Sequence, residues 1–244
     1  MPYEKVTVRT NDGDCETHVF SPAGSGRWPG VIFYMDAGGI RPAVLAMAGR
    51  LADSGFVVLL PDLFYRFGPY GPLVPAEVFR GDVMAILGPL MATTGNDKAA
   101  EDTEALIAYL DSRADIKGDR YGAVGFCMGG GMAITSAAAY PDRFAGVASF
   151  HGGNLATDAP SSPHRFVAGL EAELYIAAAD NDAHYPADMA ERFEASLRNA
   201  GVRYRAERYE GAAHGWMKPD FPVYNQKAAE RGWTELLALF KRTL

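Results

Sequence analysis

Cysteine is scarce in this chain: Cys15 and Cys127 are the only 2 among 244 residues. So few build no disulfide framework, and both are read as free thiols of a reducing cytoplasm. Positive charge is also short. Lys and Arg number 23 against 30 Asp and Glu, for a formal net charge of −7 and a pI near 5.3. Nucleic acids and anionic membranes demand a basic surface, so neither is expected as a partner. No apolar run approaches the roughly 18 residues of a membrane span, and the opening MPYEKVTVRT lacks a signal-peptide core. The 5 histidines show no metal-ligand spacing and no H-E-x-x-H, so neither metal nor cofactor is expected. Internal repeats, low-complexity tracts and a domain linker are missing too. One domain over residues 1–244 follows, and 48% hydrophobic residues suffice for one sizeable core.

What is present is a regular alternation of patterns. Lys5–Arg9 and Glu16–Phe20 alternate in polarity around Asn11-Asp12-Gly13-Asp14, which predicts a hairpin. The runs 31–35, 56–60, 121–126, 146–150 and 174–179 are short and apolar, as buried strands are; 204–209 is a strand of mixed character. Helical patterns cover 42–53, opened by Pro42 and stopped by Gly55, and 97–112, with Ala99, Thr103, Leu106, Ile107 and Leu110 on one face. Others cover 128–139, the Met189/Phe193/Leu197 stripe ended by Gly201, and 224–240. Residues 76–91 predict a helix broken near Gly88-Pro89. The aromatic, Pro/Gly-rich stretch before it predicts an irregular wall over a pocket, or a packed surface loop. This rhythm means an α/β fold, a mostly parallel sheet with helices on both faces.

Chemistry concentrates at Gly125-Phe126-Cys127-Met128-Gly129, where the strand 121–126 meets the helix 128–139. Strand, Gly-flanked turn and helix match the nucleophile elbow G-x-Nu-x-G, with cysteine in place of the commoner serine. The helix N-terminus favours a sulfur anion there. A buried structural cysteine in a Gly-rich turn is the plainer alternative. Acyl transfer also needs a base and an acid that orients it. Loops at the carboxyl ends of strands supply Asp180, Asp182 and His214, in the nucleophile–acid–base order of α/β-hydrolases. Pro186, as a first-turn residue of the next helix, favours Asp182 over Asp180 as the acid. His18, His151, His164 and His184 carry no comparable signal.

With VIFYMDAGG, LLPDLFYR, GFCMGG, DAHYP and GAAHGW placed along its length, the chain resembles the dienelactone hydrolase family, the Cys-His-Asp branch of the α/β-hydrolase fold. The resemblance implies a sheet of about eight strands, mostly parallel. It implies cleavage of a small ester or enol-lactone, through a thioester on Cys127 with His214 and Asp182, by a monomer or small homo-oligomer. It also implies an acid after the first buried strand that modulates the thiol. Asp36 stands there, where well-known members carry Glu; a helix-capping carboxylate or a salt bridge to Arg41 is the alternative. Backbone N–H groups of Ala37 and Met128 are expected to form the oxyanion hole. The family binds an anionic substrate with two arginines, and the matching positions are Arg80 and Lys218, the latter without a guanidinium fork. A rival within the enzyme class is a carboxylesterase or thioesterase with the aromatics of 64–70 lining an acyl pocket. A rival outside it is a non-catalytic small-ligand binder.

Overall fold

The two alternating segments form an antiparallel hairpin, β1 (Tyr3–Thr10) and β2 (Gly13–Phe20). The computed structural model describes residues 2–244. The apolar runs become β3 (Gly30–Tyr34), β4 (Val57–Pro61), β5 (Tyr121–Phe126), β6 (Phe144–Phe150) and β7 (Glu173–Ala179), and the mixed run becomes β8 (Tyr204–Tyr209). They assemble into an eight-stranded sheet in the order β1-β2-β4-β3-β5-β6-β7-β8. β2 joins β4 antiparallel, and every pairing from β4 to β8 is parallel. Only β1, β2 and β8 carry exposed residues along their length, because they lie at or near the sheet edges; β3, β4 and β5 are buried throughout. Their unbroken apolar sequence reflects cover on both faces.

The helices provide that cover. α1 (Pro42–Asp53), α4 (Asn96–Ser112), α5 (Met128–Ala139), α6 (Ala187–Asn199) and α7 (Gln226–Thr243) lie close to the expected spans. Successive strand residues face opposite sides, and β5 shows it. A Cβ on Gly122 would meet Phe240 of α7, whereas one on Gly125 would meet the backbone of α5. α4 presents Ala99, Thr103, Leu106, Ile107 and Leu110 inward as its spacing predicts, but also Asp102. That carboxylate is satisfied by Arg66 at 2.8 and 2.9 Å and by the Tyr65 hydroxyl at 2.8 Å.

The segment 76–91 departs from expectation. It divides into α2 (Pro75–Val78) and α3 (Val83–Met91), and Pro89 lies inside α3 instead of breaking it. The division falls earlier because Asp82 caps α3, accepting the N–H groups of Met84 and Ala85 at 3.1 Å. A side-chain acceptor here satisfies orphan donors and defines a new helix start.

Candidate active site

The turn between β5 and α5 forces Cys127 to φ 54° and ψ −119°, a conformation costly for a residue with a side chain. The crossing of strand and helix explains it. A Cβ on Gly125 would collide with the Gly129 backbone, and one on Gly129 with the carbonyls of Tyr34 and Met35 at the end of β3. The Cys127 N–H is anchored to the Phe150 carbonyl at 3.1 Å. The sulfur thus stands at the carboxyl edge of the sheet and the N-terminus of α5.

His214, in the loop after β8, brings Nε2 to 3.1 Å from Cys127 Sγ. Its Nδ1 lies 2.7 Å from Asp182 Oδ2, in the loop after β7. The other Asp182 oxygen accepts the His184 N–H at 2.8 Å, which fixes the carboxylate plane. Asp180 instead accepts the Gly211 N–H at 3.0 Å and serves the turn after β8. Burial disfavours the His214 imidazolium, but the Asp182 bond and then the Cys127 contact outweigh it and raise its pKa to about 10. Burial likewise opposes the Asp182 anion, and the His214 bond overcomes it, holding that carboxyl below its ordinary value. Two further imidazoles flank the ring edge to face: His151 at 5.4 Å and His184 at 5.0 Å between centroids. His151 is fully buried, and burial, followed by repulsion from His214 and Lys218, keeps it neutral.

Asp36 is not a free acid facing the thiol. Its carboxylate takes Arg41 through both terminal nitrogens at 2.9 and 3.1 Å, Lys218 Nζ at 2.8 Å and the Gly38 N–H at 2.7 Å. Burial would raise its pKa, yet the charges of Lys218 and Arg41 hold it well below the carboxylate range. Saturated in this way, Asp36 is a fixed anion, and the salt-bridge alternative describes it.

The two positions expected to bind a substrate anion are engaged by other groups of the protein. Lys218 is wholly buried, paired with Asp36 and lying 4.0 Å over the Phe126 ring, because its length reaches back under the site. Arg80 is exposed and folds its Nε onto the Ala76 carbonyl at 2.8 Å.

Above Cys127 lies a cavity of about 190 Å³. Asp36, Ala37, Cys127, His184 and His214 bound its floor and side; Leu73, Val78, Phe79, Val83, Leu87, Met91 and Phe221 supply the rest. The aromatics of 64–70 do not line it. Phe64 is buried in the core, and Tyr70 braces the loop after β3, donating to Asp62 at 2.8 Å and accepting the Ile40 N–H at 3.1 Å. A larger, open depression of about 840 Å³ around Tyr224–Lys227 holds none of Cys127, Asp182 or His214. Ala37 borders the cavity over Cys127, and Met128 opens α5; neither N–H is taken by a protein acceptor among the described residues. Sequence reading missed the α2–α3 wall and the Asp220 partner of Arg41. The wall had a signal, an apolar 83–91 with no polar face to present to water. Asp220 had none.

Comparison with known proteins adds a family. A family model described as the dienelactone hydrolase family matches residues 15–244. A Synechocystis sp. protein named "Putative carboxymethylenebutenolidase" is 26% identical over 242 residues, 98% of this chain and 96% of that protein. A Rhodococcus opacus carboxymethylenebutenolidase is 26% identical over 234 residues, 93% of this chain and 85% of its own length. A solved Klebsiella pneumoniae structure titled "Putative Dienelactone Hydrolase" superposes with a TM-score of 0.87 at 21% identity, covering 99% of this chain and 98% of that one.

Proposed function

Because the chain belongs to the dienelactone hydrolase family, we propose that this hydrolase cleaves a small ester or lactone with Cys127 as its nucleophile. The observation that carries the reading is the continuous contact from Cys127 Sγ through His214 to Asp182, at 3.1 and 2.7 Å. In the resting pair the proton resides on His214, where Asp182 stabilises it. The sulfur attacks the ester carbonyl carbon, and the carbonyl π electrons move to oxygen. The N–H groups of Ala37 and Met128 receive that oxyanion, a contribution of roughly 2.7–4 kcal/mol per donor. Collapse expels the alkoxide, which takes the proton from His214 Nε2 and leaves a thioester on Cys127. His214 then removes a proton from water, the hydroxide adds to the thioester, and the thiolate departs as the acid is released. Thiolate is also a good leaving group from the first tetrahedral adduct. Activated esters and enol-lactones therefore go forward where amides return to substrate.

Asp36 has a supporting part in this scheme. With Arg41 and Lys218 it holds the turn that carries the Ala37 N–H, and it exchanges no proton. The test is hydrolysis of an aryl ester and an enol-lactone by wild type and by Cys127→Ala, with mass analysis after acid quench. The reading requires an acyl adduct on Cys127 and loss of turnover in the variant; equal rates would end it.

A further inference from the structure

The cavity over Cys127 has a charge pattern that speaks to the substrate. Among the described residues, no lysine or arginine lines it. The nearest cations are committed elsewhere. Arg41 bonds Asp36, and also Asp220 through Nε at 2.7 Å; Lys218 bonds Asp36; both cations are buried. Those four charges cancel. The Cys127–His214 pair shares one proton across its 3.1 Å contact and is neutral overall, so the site retains the negative charge of Asp182. Arg80, the remaining candidate, does not line the cavity; it is exposed and donates its Nε to the Ala76 carbonyl.

We propose that the substrate of this site is an uncharged ester or lactone with an apolar body about one ring in size, and that carboxylate-bearing substrates are rejected. The inference rests on the nucleophile reading above and narrows it. Size follows from volume: the cavity measures about 190 Å³, and an apolar cavity of about 150 Å³ takes benzene. Polarity follows from the wall, where Leu73, Val78, Phe79, Leu87, Met91 and Phe221 offer contact surface and no hydrogen bond from their side chains. A carboxylate placed there loses its water and finds no lysine or arginine, and the His214 ring on the cavity wall is already bonded to Asp182. An equally shaped neutral group loses water at a gain.

The experiment compares kcat/KM for matched pairs with the full-length protein: p-nitrophenyl pentanoate against p-nitrophenyl hemisuccinate, and dihydrocoumarin against a carboxylated dihydrocoumarin. We expect the neutral member to lead by about 100-fold or more, the discrimination of an apolar-walled site against an unpaired charge. Equal rates, or a lead for the anion, overturn the proposal. Met84→Arg places a cation at the rim, at a side chain 65% exposed, and should narrow the pentanoate-to-hemisuccinate ratio by about tenfold. An unmoved ratio overturns the charge argument. Binding of valerophenone and 4-oxo-4-phenylbutanoate to Cys127→Ala, read by calorimetry, tests the preference without turnover; tighter binding of the acid overturns it. If Cys127→Ala turns over as fast as wild type while neutral substrates still lead, the nucleophile reading fails and the selectivity stands.

Discussion

The His214 ring is the proton reservoir of the site, and its environment makes a pH prediction. Its pKa is raised to about 10 against the opposing effect of burial, through Asp182 and the Cys127 sulfur. A raised cationic pKa means the charged pair is intact at neutral pH and lost as pH rises through about 10. The alkaline limb of kcat/KM is therefore expected near pH 10 with a chemically stable ester. Asp182→Asn removes the carboxylate that holds the proton, so the limb should move to lower pH and kcat fall on the order of 10³–10⁴-fold. Asp180→Asn, at a side chain that accepts the Gly211 N–H, should leave the limb in place. Full pH–rate profiles of the three proteins decide it. The chain order of Cys127, Asp182 and His214 was legible from motif and strand endings alone. The commitment of Lys218 and Arg80 was not, because a long side chain's direction depends on which buried anion or carbonyl it can reach.

At the scale of elements, the α2–α3 segment turns a sheet edge into a pocket. α3 is apolar along its whole length, yet only Leu87 and Leu90 are buried, while Met84 is 65% exposed. Its start depends on one capping side chain. Asp82→Ala should speed amide exchange several-fold over Met84–Leu87 and raise KM for an aryl ester more than it lowers kcat; Asp82→Asn, which keeps the cap, should do neither. The elbow is the rigid counterpart of this segment. Gly129→Ala drives a methyl into the Tyr34 and Met35 carbonyls. The expected loss is several kcal/mol in urea unfolding, since backbone on both sides leaves no room to relax. The mostly parallel sheet and the elbow could be anticipated from local pattern. The helix break could not, because the cap at Asp82 is visible only once α3 has a direction.

Across the whole molecule, the buried charges join segments far apart in the chain. Arg41 and Asp220 are 179 positions apart, and Asp36 and Lys218 complete the cluster beneath the site. Asp36→Ala strands the buried Lys218, leaves Arg41 with Asp220 as its carboxylate partner, and should destabilise the protein by about 3–5 kcal/mol. The sign with pH follows from the direction of the shift. Asp36 is held well below the carboxylate range, so its contribution is present above the pKa of the unfolded chain, about 4. It is lost only as pH falls further, through the folded value. Unfolding curves of wild type and variant should therefore stay equally separated from neutral pH down to about 4 and converge below it. Among the described residues no helix is long and apolar enough to cross a membrane.

The amino-acid order by itself determined the parallel sheet, the elbow around Cys127, and the strand endings that carry Asp182 and His214. Each is written in short-range signals: runs of buried residues, glycines at a crossing, polar residues where a strand stops. Only the tertiary structure decided which carboxylate meets the imidazole, which cations are already spent, and what lines the cavity. Those outcomes depend on distances between residues far apart in the chain, where a few ångströms separate a counter-ion from a bystander.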